Sequence, residues 1–146
     1  MRVEKTMAAT PQAVFACIER SVLADMAQSG HASKASGLKS GDRYTKTLRT
    51  KLGAPRSVTV CIHAFEPPSL YEASFKSSEG TNIVRYEIAP CPQGSLVAYE
   101  ERFQTPSTLG SLNQKLMQGL LARSSKKRMR AQLDALEAQL TSSQRS

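Results

Sequence analysis

Along the last third of the chain, leucines and methionines recur every three or four residues. Leu109, Leu112, Leu116 and Leu120, with Met117, Leu121, Met129, Leu133, Leu136 and Leu140, hold one apolar stripe, and Ser125 is the clearly polar residue on its line. That period predicts a single long helix from Thr105 to Leu140. Thr105-Pro106 supplies a capping oxygen followed by a proline at the first helical position, where its missing N–H costs nothing. At about 1.5 Å per residue such a helix runs roughly 50 Å, too long for another short helix to cover, so it calls for a sheet. Past Leu140 there is nothing to bury, which bounds one domain at residues 1–141 and leaves 142–146 as a tail expected to fray.

Upstream the period changes twice. Arg2 to Met7 alternates, with Val3, Lys5 and Met7 on one side and Arg2, Glu4 and Thr6 on the other, as a half-buried strand does. Thr10-Pro11 then repeats the cap-and-proline signal, and Val14, Phe15, Ile18, Val22, Leu23 and Met26 follow at helical spacing, as one helix or two. Residues 28–42 hold Gly30, Gly37, Gly41 and several serines without periodicity and read as a loop, of the kind that serves as a lid or rim. From Arg43 the period is two. Five strands are predicted, Tyr44 to Lys51, Ser57 to Phe65, Tyr71 to Phe75, Thr81 to Ala89 and Ser95 to Gln104, divided by Gly53-Ala54-Pro55, Pro67-Pro68, Ser78-Glu79-Gly80 and Pro90-Cys91-Pro92-Gln93-Gly94. Connections this short make sequence neighbours antiparallel neighbours. Strand, helical segment, five strands and a long terminal helix predict an α+β fold in which a curved antiparallel sheet wraps the terminal helix.

Composition narrows the function classes. The 146 residues, 40% of them hydrophobic, supply one core and no room for a second domain. Cys17, Cys61 and Cys91 are odd in number and far apart, and no basic-then-apolar leader opens the chain, so a reduced, cytoplasmic protein is expected. No uncharged apolar run approaches the ~20 residues of a transmembrane helix. The 20 basic side chains outnumber the 12 acidic ones, in two clusters: Lys34, Lys39, Arg43, Lys46, Arg49 and Lys51 against Asp42, and Arg123, Lys126, Lys127, Arg128 and Arg130 on the long helix. Such clusters attract nucleic acid or anionic headgroups, but they also keep a face solvated, and the second reading carries more weight. With 5% aromatic residues there are few platforms for stacking bases, and nucleic acid is not the expected partner.

Several stretches carry a family resemblance. Phe65-Glu66-Pro67-Pro68 with Tyr71, Phe75-Lys76-Ser77-Ser78-Glu79-Gly80-Thr81-Asn82, Tyr99-Glu100-Glu101-Arg102-Phe103 and Ser111-Leu112-Asn113-Gln114-Lys115-Leu116-Met117 are similar to a bacterial domain-of-unknown-function branch of the START-like, birch-pollen-allergen-like SRPBCC superfamily. The resemblance implies a helix-grip fold with an apolar cavity between sheet and terminal helix. It implies no particular chemistry, because the superfamily includes lipid and hormone carriers, polyketide cyclases and chaperone cofactors.

Strand parity then yields a cavity lining. Val97, Tyr99, Glu101 and Phe103 share the more apolar face of the last strand and are expected to point inward. The same parity groups Tyr44, Lys46 and Leu48; Val58, Val60 and Ile62; Tyr71, Ala73 and Phe75; and Asn82, Val84, Tyr86 and Ile88, while Met117, Leu121, Ser125 and Met129 of the helix form a floor that tolerates varied ligands. Glu101 is the informative residue, since an inward carboxylate is costly unless paired. With Lys46, Asn82 and the tyrosine hydroxyls it would fix the polar end of a greasy ligand; alternatively it meets water at the strand end, or pairs with a lysine or arginine, and binds nothing, which is the commoner case.

Other chemistry is poorly represented. His63, on the face of Cys61 and Phe65, and His31 have no ligand partner at metal spacing, so no metal and no cofactor is expected. There is no G-x-S-x-G, no Gly-rich phosphate loop, and Cys17 on an amphipathic helix reads as core. Three functions follow in order: a binder of a hydrophobic or amphipathic small molecule or lipid; a cyclase- or isomerase-type enzyme using Glu101 as acid or base; and an interaction protein using its basic surface. The reading leans away from an enzyme, and leaves ligand identity and oligomeric state open.

Overall fold

The computed structural model describes residues 1–30, 38–48, 56–78, 80–104 and 111–144, with side chains of the last helix described over 126–142. In chain order the elements are β1 (Arg2–Met7), α1 (Pro11–Gln28), β2 (Arg43–Leu48), β3 (Arg56–Glu66), β4 (Leu70–Ser77), β5 (Gly80–Cys91), β6 (Gly94–Gln104) and α2 (Ser111–Gln144). The strands form one antiparallel sheet in the order β1-β6-β5-β4-β3-β2, so β2 to β6 is a simple meander and β1 closes on its far end. This is the α+β helix-grip arrangement, a curved antiparallel sheet with both helices on its inner face.

Alternation decides which face is inner. Val58, Val60 and Ile62 of β3, Tyr71 and Ala73 of β4, Val84, Tyr86 and Ile88 of β5, and Val97 and Tyr99 of β6 are buried in one core with Val14, Phe15, Cys17 and Ile18 of α1. The opposite face carries charges paired across strands, such as Arg2 of β1 with Glu100 of β6 (2.6 Å) and with Glu87 of β5 (3.4 Å). Exposed pairs of this kind hold strand register more than they stabilise, at about 0–1 kcal/mol each.

The first helix forms where its signals predict. Thr10 caps α1 by accepting the Ala13 amide at 3.2 Å, Pro11 takes the first helical position, and α1 continues unbroken to Gln28 as one helix. In α2, Met129, Leu133, Leu136 and Leu140 are buried at intervals of three and four residues. Lys5, on the inner face of edge strand β1, reaches over to Asp134 and to Glu137 (3.1 Å), one turn apart on α2, and ties sheet edge to helix. The helix runs on to Gln144, past the expected end at Leu140, with Thr141 donating to the Glu137 carbonyl at 3.1 Å. The Thr105-Pro106 cap, Gly53-Ala54-Pro55, residues 49–51 of the predicted second strand and 31–37 of the predicted loop lie outside the described residues.

One face assignment is corrected. Phe65 does not share the outer face with Cys61 and His63; it packs inward, edge-on to Phe15 (5.1 Å between centroids) and to Tyr71 (6.5 Å). The register of β3 against β4 shifts between Ile62 and Ala64, and the extra residue in a β-bulge reverses parity beyond it. His63 sits at that bulge with its Nε2 2.7 Å from Ser74 Oγ.

The β5–β6 turn is tighter than its five candidate residues suggest. Cys91 pairs with Gly94, leaving Pro92 and Gln93 as the loop. Pro90 is tolerated because β4 stops at Leu70, opposite Glu87, so no ladder donor is needed from Pro90 on that side.

Candidate functional site

A cavity of about 260 Å³ lies between the sheet, α1 and α2. α1 contributes Ile18, Ser21, Val22 and Asp25, and α2 contributes Gln132, Ala135, Leu136 and Gln139. Each set has the i, i+3, i+4, i+7 spacing of a single helical face. The sheet contributes Tyr44, Lys46, Tyr71, Phe75, Val84, Tyr86 and Tyr99. Ser21, Gln132, Ala135 and Gln139 are exposed, so the cavity opens where α1 and α2 face each other.

The sheet wall is an aromatic ladder set by strand register. Tyr71 of β4 is paired with Tyr86 of β5, and Tyr86 with Tyr99 of β6. Their rings follow one another at 6.3 and 4.7 Å between centroids. Burial raises the pKa of all three phenols and of Tyr44, that of Tyr86 to about 12, so each enters the cavity as a neutral hydroxyl. Two hydroxyls are hydrogen-bonded: Tyr44 donates to Asp25 Oδ2 at 2.6 Å and Tyr86 accepts from Gln132 Nε2 at 3.4 Å, while the neighbouring Glu101 adds to the rise at Tyr99. The Tyr71 hydroxyl has no hydrogen-bond partner among the described residues.

At the β2 end the cavity has a charged pole. Lys46 Nζ donates to Asp25 Oδ2 at 3.0 Å and stands 5.2 Å from the centre of the Phe75 ring. Both Tyr44 and Lys46 use Oδ2, which leaves Asp25 Oδ1 without a partner among the described residues. Across the opening, Gln139 Oε1 accepts from Ser21 Oγ at 3.2 Å and from Cys17 Sγ at 3.4 Å, linking the helices beside the mouth.

Of the residues singled out by strand parity, Tyr44, Lys46, Tyr71, Phe75, Tyr86 and Tyr99 come together around this space. Asn82 and Glu101 lie beyond it. Glu101 is 8% exposed, and its two oxygens accept from Arg128 Nη1 at 3.1 Å and Nη2 at 2.7 Å, with Asn82 Nδ2 also 3.3 Å from Oε1. Arg128 is one turn before Gln132 on α2, so Glu101 occupies the next step along β6, where the guanidinium replaces the cavity. Phe103, also expected inward, is 49% exposed near the strand end, its ring beside Gly80. The side chains of Leu48, Met117, Leu121 and Ser125 lie outside those described; the α2 wall comes from residues nearer the C-terminus.

Asp25 and the facing side of α1 went unread in the sequence, although Ile18, Val22 and Asp25 share a helical face. An acid at the end of that apolar stripe was the available signal. Among the described residues no group of His, Cys, Asp and Glu is arranged to hold a metal ion, and no helix is long and apolar enough to cross a membrane.

The Arg128–Glu101 pair carries its own prediction. Arg128→Ala leaves a buried carboxylate with hydrogen bonds but no countercharge, and should cost about 2 kcal/mol, reduced from the value for a fully buried pair because the Arg128 side chain is 63% exposed. Arg128→Ala together with Glu101→Gln should regain most of that loss. Urea denaturation followed by circular dichroism measures both, and equal stability of wild type and Arg128→Ala would deny the pair any structural role.

A family model described as Domain of unknown function (DUF3284) matches residues 1–122. The chain belongs to that family. For this DUF3284 protein no curated protein gives a match. Solved structures with similar folds include the protein of unknown function SA2116 from Staphylococcus aureus, with TM-score 0.70 and 14% identity over 100% of this chain and 95% of that one. Mll3558 from Rhizobium loti gives TM-score 0.66 and 15% identity, over 95% of this chain and 94% of that one. Ara h 8.0201 gives TM-score 0.67 and 13% identity over 97% of each chain. Identities this low show a shared fold alone, the birch-pollen-allergen-like helix-grip fold.

Proposed function

We propose that this DUF3284 protein is a non-catalytic binding module that holds a compact hydrophobic or amphipathic small molecule between the sheet, α1 and α2. The observation that carries the reading is the cavity itself: about 260 Å³, open between two helices, walled by aromatic and aliphatic side chains, with a few polar groups at one end. Mostly apolar concave sites with a small number of placed polar groups are how proteins hold small molecules, typically in ~300–1,000 Å³. The size favours one or two rings or a short chain over a whole membrane lipid. Catalysis by Glu101 is no part of this reading, because Arg128 and Asn82 engage its oxygens away from the cavity. A cytoplasmic setting suits the three free cysteines.

A thermal-shift screen of aromatic, alicyclic and short acyl compounds, with native mass spectrometry of the freshly purified chain, tests the reading. Compounds that bind should raise the melting temperature and add their mass to the chain. Val22→Trp, which puts an indole into the space from α1, should abolish the shifts while leaving the far-ultraviolet spectrum intact. A screen without hits, or hits indifferent to Val22→Trp, would remove the cavity as the binding site.

A further inference from the structure

The charged pole lets the binding reading be taken to a ligand class, and the inference rests on that reading. Among the described lining residues Asp25 and Lys46 are the charged ones, and they neutralise each other across 3.0 Å. The pole therefore offers no net charge, yet it is not used up. Among the described residues Asp25 Oδ1 has no donor, Lys46 Nζ donates one of its three hydrogens to Asp25 and faces the Phe75 ring, and the Tyr71 hydroxyl has no hydrogen-bond partner.

A charged ligand fares badly at such a pole. An anion that drew on Lys46 would meet the Asp25 carboxylate, which sits in the last turn of α1, at the negative end of the helix dipole. A cation that drew on Asp25 would meet the Lys46 ammonium. Either would leave an uncompensated charge in a space walled by hydrocarbon, which is the costly outcome. A hydroxyl avoids both, because it donates to the carboxylate and accepts from the ammonium at once. The remaining wall, Tyr71, Tyr86 and Tyr99 in register, presents ring edges and faces that suit an aromatic body.

We propose that the Asp25–Lys46 pole makes this cavity selective for uncharged aromatic alcohols of the phenol class, the hydroxyl held between Asp25 Oδ1 and Lys46 Nζ and the ring laid against the tyrosine ladder. The pole works as a charge-matched filter, and its preference is set by two side chains that can be changed independently.

Naphthyl fluorescence titrations of the full chain with β-naphthol, β-naphthoate and β-naphthylmethylammonium provide the test. In the wild type β-naphthol should bind at least about tenfold more tightly than either ion. Asp25→Asn leaves Lys46 uncompensated and should move the preference to β-naphthoate; Lys46→Met leaves Asp25 uncompensated and should move it to β-naphthylmethylammonium. Equal affinities, an ion preferred by the wild type, or a ranking untouched in folded variants would overturn the phenol filter. So would failure of all three probes while the wider screen finds other ligands, and in each of these cases the binding module itself would survive. Failure of the probes and of the whole screen together would sink the binding module as well. Should a variant not fold, the wild-type ranking alone decides.

Discussion

Raised past pH 10, the folded protein should form almost no tyrosinate until it unfolds. The chain has four tyrosines and no tryptophan, and all four tyrosines line the one cavity described above. Burial is the largest cause of the raised pKa in each, joined for Tyr44 by its hydrogen bond to Asp25 and for Tyr71 and Tyr99 by the neighbouring Tyr86. Tyr86 is pushed up to about 12 from an ordinary 10.0. The folded state thus holds these protons more tightly than the unfolded chain does. Below about pH 10 both states keep them and the stabilisation is fully present; above it the unfolded chain loses protons that the folded chain retains, so stability falls as pH rises toward the folded values. Each phenol contributes a slope of up to ~1.4 kcal/mol per pH unit, and four together up to about 5.5. Against a usual stability of ~5–15 kcal/mol, that is enough to unfold the domain within one to three units. Lys5, raised by its hydrogen bonds to Asp134 and Glu137, loses stability in the same direction, but the tyrosinate absorbance band is blind to it. The band should therefore grow in step with loss of the far-ultraviolet dichroism. Smooth titration near pH 10 with the helical signal intact would mean that the phenols face water, and the cavity as described would be wrong.

That cavity was half legible beforehand, and the halves divide by kind of interaction. Period-two stretches fix which strand residues share a face, so Tyr71, Tyr86 and Tyr99 could be grouped before any strand pairing was known. Short turns fixed the meander, and the long stripe ending at Leu140 fixed the helix that the sheet must hold. What parity does not carry is where along a strand the helices sit. Glu101 is one step beyond Tyr99 on the same face, yet α2 brings Arg128 there and Gln132 to Tyr86, the cross-strand neighbour of Tyr99, so adjacent inward positions have an ion pair and a cavity respectively. Arg128 reads in the sequence as one of several solvated basic residues, since its partner is fixed only by how α2 lies on β6.

Two further losses have local causes. A bulge has no obligatory residue type, so the parity change that turns Phe65 inward left no mark on the pattern from Ser57 to Phe65. Asp25 interrupts no period, because a polar residue near a helix end is ordinarily an exposed one. Its half-buried position comes from β2, whose Tyr44 and Lys46 meet it from nineteen and twenty-one residues away. The site's charge balance is a tertiary fact.

Gly94→Ala should be among the most damaging single-methyl substitutions at the described glycines. Gly94 opens β6 at φ +138, and a Cβ there would lie 2.5 Å from the Met7 carbonyl oxygen, 2.7 Å from the Ala9 nitrogen and 2.9 Å from the Ala9 oxygen. All three are backbone atoms, so no side chain can swing aside. The crowding has a structural purpose, since the neighbouring Ser95 is fully buried and donates from Oγ to the Ala9 carbonyl at 2.6 Å, fastening the β1–α1 connection to the start of β6. Backbone strain of about 1–3 kcal/mol and a steric penalty of similar size combine here, for a loss of roughly 3 kcal/mol or more. Gly41 is the control. Its φ is +93 but a Cβ there would meet nothing within 4 Å, so Gly41→Ala should cost the conformational part alone, about 1–2 kcal/mol. Urea midpoints from circular dichroism separate the two, and because Ala9 leads into Thr10 and α1, Gly94→Ala should also loosen the helix that carries Asp25. Equal losses at the two glycines would show that φ, and not the contact with Met7 and Ala9, is what demands glycine at this corner.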